Sequence, residues 1–152
     1  MGHRLTWSRR DARGAVTPTP SQTVGPFFGF ALRRVDDGDG IPVEGQVLDG
    51  AGEPVVDALI EAWREGDFAR CRTDDEGAFR FTARKRRFLN ITVFARGLLR
   101  HLNTRMYFPG EQDAILEMVD PGRRHTLVAR PDGEVLRFDI RLQGPEETVF
   151  FV

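Results

Sequence analysis

The most regular alternation of apolar and polar residues runs from Val135 to Gln143. Leu136, Phe138, Ile140 and Leu142 share one parity; Arg137, Asp139, Arg141 and Gln143 share the other. Successive side chains of a strand point to opposite faces, so this stretch predicts a half-buried antiparallel strand. Shorter apolar runs precede it. Val43 to Leu48 ends at the turn residues Asp49-Gly50-Ala51-Gly52, Ala58 to Trp63 follows, and Leu89 to Phe94 reads as a buried strand. Cys71 to Thr73 and Ala78 to Thr82 flank Asp74-Asp75-Glu76-Gly77, which predicts a hairpin with a four-residue loop. Leu98, Leu102, Met106 and Phe108 again keep one parity, and Thr148 to Val152 predicts a last strand. Only Glu111 to Met118 reads as helix, and a short one. Seven to nine short, mostly antiparallel strands with closely spaced turns and little helix predict an all-β fold, a β-sandwich.

Upstream of Pro42 this pattern is missing. Residues 1–16 mix Arg4, Arg9, Arg10 and Arg13 with few core-forming side chains and predict a flexible leader. Thr17 to Gly29 holds Pro18, Pro20 and Pro26 with Gly25 and Gly29. Proline lacks a backbone donor and restricts the residue before it, so this stretch is predicted to run extended. The chain therefore divides into a leader (1–16), an extended arm (17–41) and a sandwich (42–152).

Composition narrows the function classes. With 152 residues, 40% hydrophobic and 30% charged, the chain fits one globular domain. A formal net charge of −1 supplies no field for nucleic acid. No apolar run approaches the roughly 20 residues that span a bilayer, and the Arg-rich start lacks the apolar segment of a secretory signal. The lone Cys71 allows no internal disulfide and suits a cytoplasmic location.

Chemistry read from the residues alone is sparse. The histidines are His3, His101 and His125, with no two close in sequence, so no clustered zinc set exists. His101 and His125 would need the fold to bring them to a carboxylate before they could hold iron; a self-sufficient metalloenzyme rests on that. No Gly-x-Ser-x-Gly elbow marks a hydrolase. Arg70 and Arg72 flank Cys71, but in a strand they point to the other face, which favours a buried, inert thiol.

Several motifs, in order, resemble one family. Thr19-Pro20-Ser21-Gln22-Thr23-Val24-Gly25-Pro26-Phe27 is similar to the N-terminal signature of intradiol ring-cleaving dioxygenases. Gly45-Gln46-Val47-Leu48-Asp49 with Gly52, Pro54-Val55 and Glu61-Ala62-Trp63 resembles the first hairpin of their catalytic sandwich. Phe94-Ala95-Arg96-Gly97, His101 to Phe108, Arg137-Phe138-Asp139-Ile140 and Glu147 to Phe151 resemble the α subunits of the protocatechuate 3,4-dioxygenases within that family. The resemblance covers Thr17 to the C-terminus, with gaps.

The resemblance implies a sandwich and a hetero-oligomer with a β subunit. In it protocatechuate and O₂ are the substrates, and a ferric ion is held by two tyrosines and two histidines of the β chain. It implies that this chain binds no metal and has no catalytic residue of its own. Phe88 and Asn90 stand where the His-x-His ligands would be, and Tyr107 is the single tyrosine. The substrate-binding residues carried over are Thr23, Gly25 and Pro26 of the arm and Arg96. An extended Gly-Pro stretch can lie close to a flat ring, and a guanidinium fork matches a carboxylate. Against these stand a proline-rich segment that only packs on the surface and an ordinary solvated arginine. The chain is short where α chains of the family carry longer loops, between Trp63 and Phe68 and between Thr82 and Leu89. A sandwich that binds a ligand or scaffolds an assembly without a dioxygenase partner is the alternative.

Overall fold

The computed structural model describes residues 32–151, together with the backbone of Arg9–Arg10 (β1) and Val16–Thr17 (β2), which pair antiparallel. From Ile41 onward the strands form two sheets. In the first, β3 (Ile41–Leu48) is central, with β6 (Ala78–Ala83) antiparallel on one side. On its other side lie β10 (Val135–Arg137) and β11 (Ile140–Arg141), both parallel to it, and β9 (Arg130–Asp132) extends the sheet antiparallel to β10. The second sheet runs β5 (Asp67–Arg72), β4 (Leu59–Arg64), β7 (Phe88–Phe94), β8 (Leu102–Tyr107), every neighbour antiparallel. The one short α-helix among the described residues, α1 (Ala114–Met118), falls inside the predicted helical stretch, and a 3-10 turn spans Arg124–Leu127. No helix among the described residues is long and apolar enough to cross a membrane.

The alternating parity of the strands explains the sandwich. Val43, Val47, Phe79, Phe81, Leu136, Phe138 and Ile140 from the first sheet meet Ile60, Ala62, Cys71, Leu89, Ile91, Val93 and Met106 from the second. Each Val, Leu, Ile, Phe or Met side chain among these contributes about 1.5–3 kcal/mol on full burial. A second, smaller core lies on the outer face of β8. There Tyr107, Leu116 and Leu127 are buried, with Phe88, Val119, Val128, Val149 and Phe151 packed against them.

Three predicted features are corrected. The Val135–Gln143 stretch keeps its parity, yet it is two short strands rather than one, both parallel to β3, and only β10 has an antiparallel neighbour, β9. The Phe138 carbonyl lies where a Cβ on Gly45 would sit only 1.8 Å away. Phe138 N–H donates to the Glu44 carbonyl at 2.8 Å, and the Asp139 carboxylate accepts from Gln46 N–H at 3.0 Å, replacing a ladder bond at the break. Cys71–Thr73 and Ala78–Thr82 do not form a hairpin ladder. β5 pairs with β4 and β6 with β3, so the chain crosses between sheets at Asp74–Gly77. The Asp74 carboxylate accepts from Glu76 N–H and Ala78 N–H there, which makes the turn without requiring the strands to pair. Thr148 to Phe151 runs beside β11 and β8, but contributes one bridge, Phe151 to Asn103, rather than a strand.

Two connections are tight. β4 and β5 are joined by Glu65-Gly66, with φ of 32° and 89°, a two-residue hairpin whose central residues are both left-handed. β6 and β7 are joined by Arg84–Arg87 alone.

Candidate functional site

The outer face of the second sheet carries Phe68, Trp63, Asn90 and Arg105 in one row across the strands, and Arg70, Glu61, Thr92 and Asn103 in the next. Phe68 and Trp63 are 42% and 47% exposed, so this face has an apolar corner open to solvent. Arg70 pairs with Glu61 at 2.7 Å. Thr92 Oγ1 donates to Asn103 Oδ1 at 3.2 Å.

Phe88 and Asn90 both point to this face from β7, as a period of two requires. Two guanidinium groups stack over the Phe88 ring, Arg64 at 3.9 Å and Arg105 at 4.0 Å from its centre. Tyr107 pairs with Phe88 across β7 and β8, and their ring centres are 5.4 Å apart. The Tyr107 hydroxyl donates to Asp113 Oδ1 at 2.8 Å and accepts from Arg105 at 3.2 Å. Asp113 in turn caps α1 by accepting from Leu116 N–H at 2.9 Å. Burial pushes the Tyr107 phenol up from its ordinary value, and Asp113 adds to the rise. Burial works against ionisation of Asp113, but hydrogen bonds from Leu116 N–H and Tyr107 and the charge of Arg105 outweigh it and hold the carboxyl low.

These residues do not fit a ferric ion. Phenylalanine has no lone pair, two cations already stack on it, and the Tyr107 hydroxyl is buried and hydrogen-bonded to Asp113 and Arg105. Among the described residues no three His, Cys, Asp or Glu side chains form a group that could hold a metal. His101 packs its ring on Phe94 at 5.5 Å, and His125 pairs with Glu146 at 2.8 Å. The Cys71 thiol is buried in the core, and desolvation pushes it up to about 12.

The two short loops meet. Asp67, at the exit of the β4–β5 hairpin, pairs with Arg84 at 2.5 Å and Arg86 at 2.8 Å from the β6–β7 loop. Arg84 also reaches Asp37 and Asp39, each at 3.0 Å. Hydrogen bonding from Arg84 holds the Asp67 carboxyl below the usual range despite some desolvation.

Arg96 lies at the other end of β7, eight residues from Phe88, or about 26 Å along a strand. The strand stops at Phe94, Ala95 is buried, and Gly97 (φ 87°) turns the chain. Arg96 pairs with Asp57 at 3.3 Å, with 57% and 47% of the two side chains exposed. Asp57 has φ 59° and lines a cleft with Leu32, Arg34, Arg70 and Arg72.

The end of the arm is anchored beside this cleft. Val35 exchanges both backbone hydrogen bonds with Arg70 of the edge strand β5, at 2.9 and 2.7 Å. The next residue, Asp36, accepts from the backbone N–H and the hydroxyl of Thr82 in β6. The arm thus ties the two sheets together at its root. Burial opposes ionisation of Asp36, but hydrogen bonds from Thr82, Gly38 N–H and Arg34 prevail and hold its carboxyl low. Thr23, Gly25 and Pro26 lie outside the described residues. The structure therefore links Arg96, through Asp57, to the cleft at the root of the arm and separates Arg96 from the Phe88–Asn90 position.

Sequence reasoning missed Asp57 and the Arg64 and Arg105 stack. A lone charged residue inside the apolar run Val55-Val56-Asp57-Ala58-Leu59 was the available signal for the first. The second depends on strand register and had none.

No protein-family model matches the chain. It is 35% identical to the protocatechuate 3,4-dioxygenase alpha chain of Burkholderia cepacia over 189 aligned positions, covering 88% of this chain and 96% of that one. The alignment is longer than the 152 residues here, so that relative carries stretches this chain lacks. The beta chain from the same organism is 28% identical, over 73% of this chain and 67% of that one. Among solved structures, hydroxyquinol 1,2-dioxygenase of Pseudomonas putida DLL-E4 superposes with a TM-score of 0.54 at 18% identity, over 81% of this chain and 65% of that one. Its likeness shows the fold, a β-sandwich shared with a dioxygenase; identity across nearly the whole of an alpha chain shows the rest, and this chain belongs to the protocatechuate 3,4-dioxygenase alpha-chain family of the intradiol ring-cleavage dioxygenases.

Proposed function

We propose that this chain is the α subunit of a cytoplasmic protocatechuate 3,4-dioxygenase and helps to wall a substrate pocket whose ferric ion is held by a partner β subunit. The holoenzyme would cleave protocatechuate with O₂ to 3-carboxy-cis,cis-muconate, in aromatic catabolism by the β-ketoadipate route. The iron, bound in the partner, would supply activation of the catechol. This chain's share is binding and orientation. The arm carrying Thr23, Gly25 and Pro26 lines one wall, and the Arg96 guanidinium holds the substrate carboxylate.

The observation that carries this reading is the convergence at Asp57. The root of the arm and Asp57, the partner of Arg96, line one cleft, although sixty residues of sequence lie between Val35 and Arg96. Thr23 is nine residues from Leu32, and an extended chain of that length reaches about 30 Å. The arm is thus long enough to enter a neighbouring subunit while Val35 and Asp36 hold its base.

Co-expression with a tagged β-type chain encoded beside it tests the reading. The two should copurify as one complex. Deleting residues 17–31 should leave the complex assembled and raise KM for protocatechuate. A chain that never copurifies with a β-type partner would instead be a stand-alone sandwich, and an unchanged KM would remove the arm from the pocket.

A further inference from the structure

Arg96 is not a bare cation waiting for a ligand. Its one ion-pair partner among the described residues is Asp57, and the contact is a single Nη2 to carboxylate oxygen approach of 3.3 Å. Neither member is buried, and the pair is not the two-bond fork that a guanidinium and a carboxylate make when the geometry is ideal. Exposed pairs of this kind hold only weakly. Asp57 also sits in a left-handed conformation, φ 59°, at the start of the chain's entry into β4. That backbone disfavours most side chains, and Asp and Asn are the non-glycine residues that adopt it most readily. Three arginines line the same cleft. Arg34 pairs with Asp36 and Arg70 with Glu61, whereas Arg72 makes no ion pair among the described residues. A carboxylate that leaves Arg96 therefore has a second cation nearby.

We propose that Asp57 is a resident carboxylate on Arg96, exchanged for the carboxylate of an incoming aromatic acid, and that it thereby sets how strongly a carboxylated ring is preferred over an uncarboxylated one. The inference rests on the reading of Arg96 given above. In the free protein Asp57 keeps the guanidinium charge-paired at the edge of the cleft. When an aromatic carboxylate arrives, it competes with Asp57 for the same fork. The cost of displacing Asp57 is subtracted from the affinity for every carboxylated ligand and from no other. No bond is made or broken in the exchange.

The test is steady-state O₂ uptake by the complex of this chain with its β-type partner, using protocatechuate and, as the ring without a carboxylate, catechol. Asp57→Asn keeps the shape and tolerates the left-handed backbone while removing the charge. It should lower KM for protocatechuate about twofold to fivefold, the range set by an exposed ion pair, and leave KM for catechol unmoved. Arg96→Ala should raise KM for protocatechuate alone, and the double variant should match Arg96→Ala because Asp57 then has nothing to occupy. An unchanged KM in Arg96→Ala would overturn the role of Arg96 and that of Asp57 with it. A raised KM in Arg96→Ala beside an unchanged or raised KM in Asp57→Asn would overturn the exchange and leave Arg96 standing.

Discussion

At the scale of single residues, the telling positions are those where the side chain is wrong for a metal and right for a fold. Tyr107 is fully buried, and its hydroxyl joins Asp113, the cap of α1, to Arg105. Tyr107→Phe should therefore lower stability by about 1–2 kcal/mol, the cost of leaving a buried charged acceptor short of a donor, read as a drop in the urea midpoint. Asp36 and Asp113 are carboxyls held below their ordinary value of 3.8 in the folded chain. A depressed folded pKa gives stability that is complete above the unfolded value and is lost as pH falls through the folded one. Thermal unfolding followed from pH 7 to pH 2 should show the melting point falling below about pH 4. Asp36→Asn should be less stable than the parent at pH 7, with the gap closing toward pH 2. A gap that stays constant would mean that the Asp36 charge contributes nothing. That Phe88 and Asn90 make a poor iron pair is legible in the sequence, because phenylalanine has no lone pair and an asparagine amide is a weak ligand for ferric iron. The sequence could not show Arg64 and Arg105 over Phe88, because stacking across three strands depends on register.

At the scale of elements, parity was legible and partnership was not. Leu136, Phe138 and Ile140 face the core as their alternation predicts. The same alternation is silent on whether the neighbouring strand runs parallel or antiparallel, since burial on one face looks alike in both. The signal at Asp74–Gly77 predicts the turn that the structure has, but not that its flanking strands pair with β4 and β3 instead of each other. A chain can reverse locally while its flanking strands join different sheets. Gly45 is where backbone and packing meet most tightly. A Cβ there would stand 1.8 Å from the Phe138 carbonyl oxygen, a backbone atom that cannot rotate aside. Gly45→Ala should cost about 3 kcal/mol, the upper end for overpacking, and a urea midpoint close to the parent's would show that β10 and β11 can slide. At the β4–β5 turn, Gly66 (φ 89°) meets nothing within 4 Å, so only backbone strain opposes a side chain. Gly66→Ala should destabilise by about 1 kcal/mol.

At the scale of the whole molecule, the features combine into a sandwich without a metal set among its described residues and an arm rooted across both sheets. The two loops that are short here are tied to each other by Asp67, Arg84 and Arg86, so the turn leading into Phe88 is held by charge pairs from this chain's own residues. Family membership was legible in the order of the motifs from Thr19 to Phe151, and the aligned alpha chain agrees with it. The convergence of Arg96 with the root of the arm was not legible, because it depends on Val35 joining the edge of β5 and on Asp57 lying beside it. The central claim is that this chain shapes a pocket and another chain holds the iron. The direct test is metal analysis with O₂ uptake on protocatechuate, made on this chain purified alone and on its complex with the β-type partner. The account expects iron and turnover in the complex and neither in the chain alone. Iron bound stoichiometrically by the isolated chain, with ring cleavage, would contradict it.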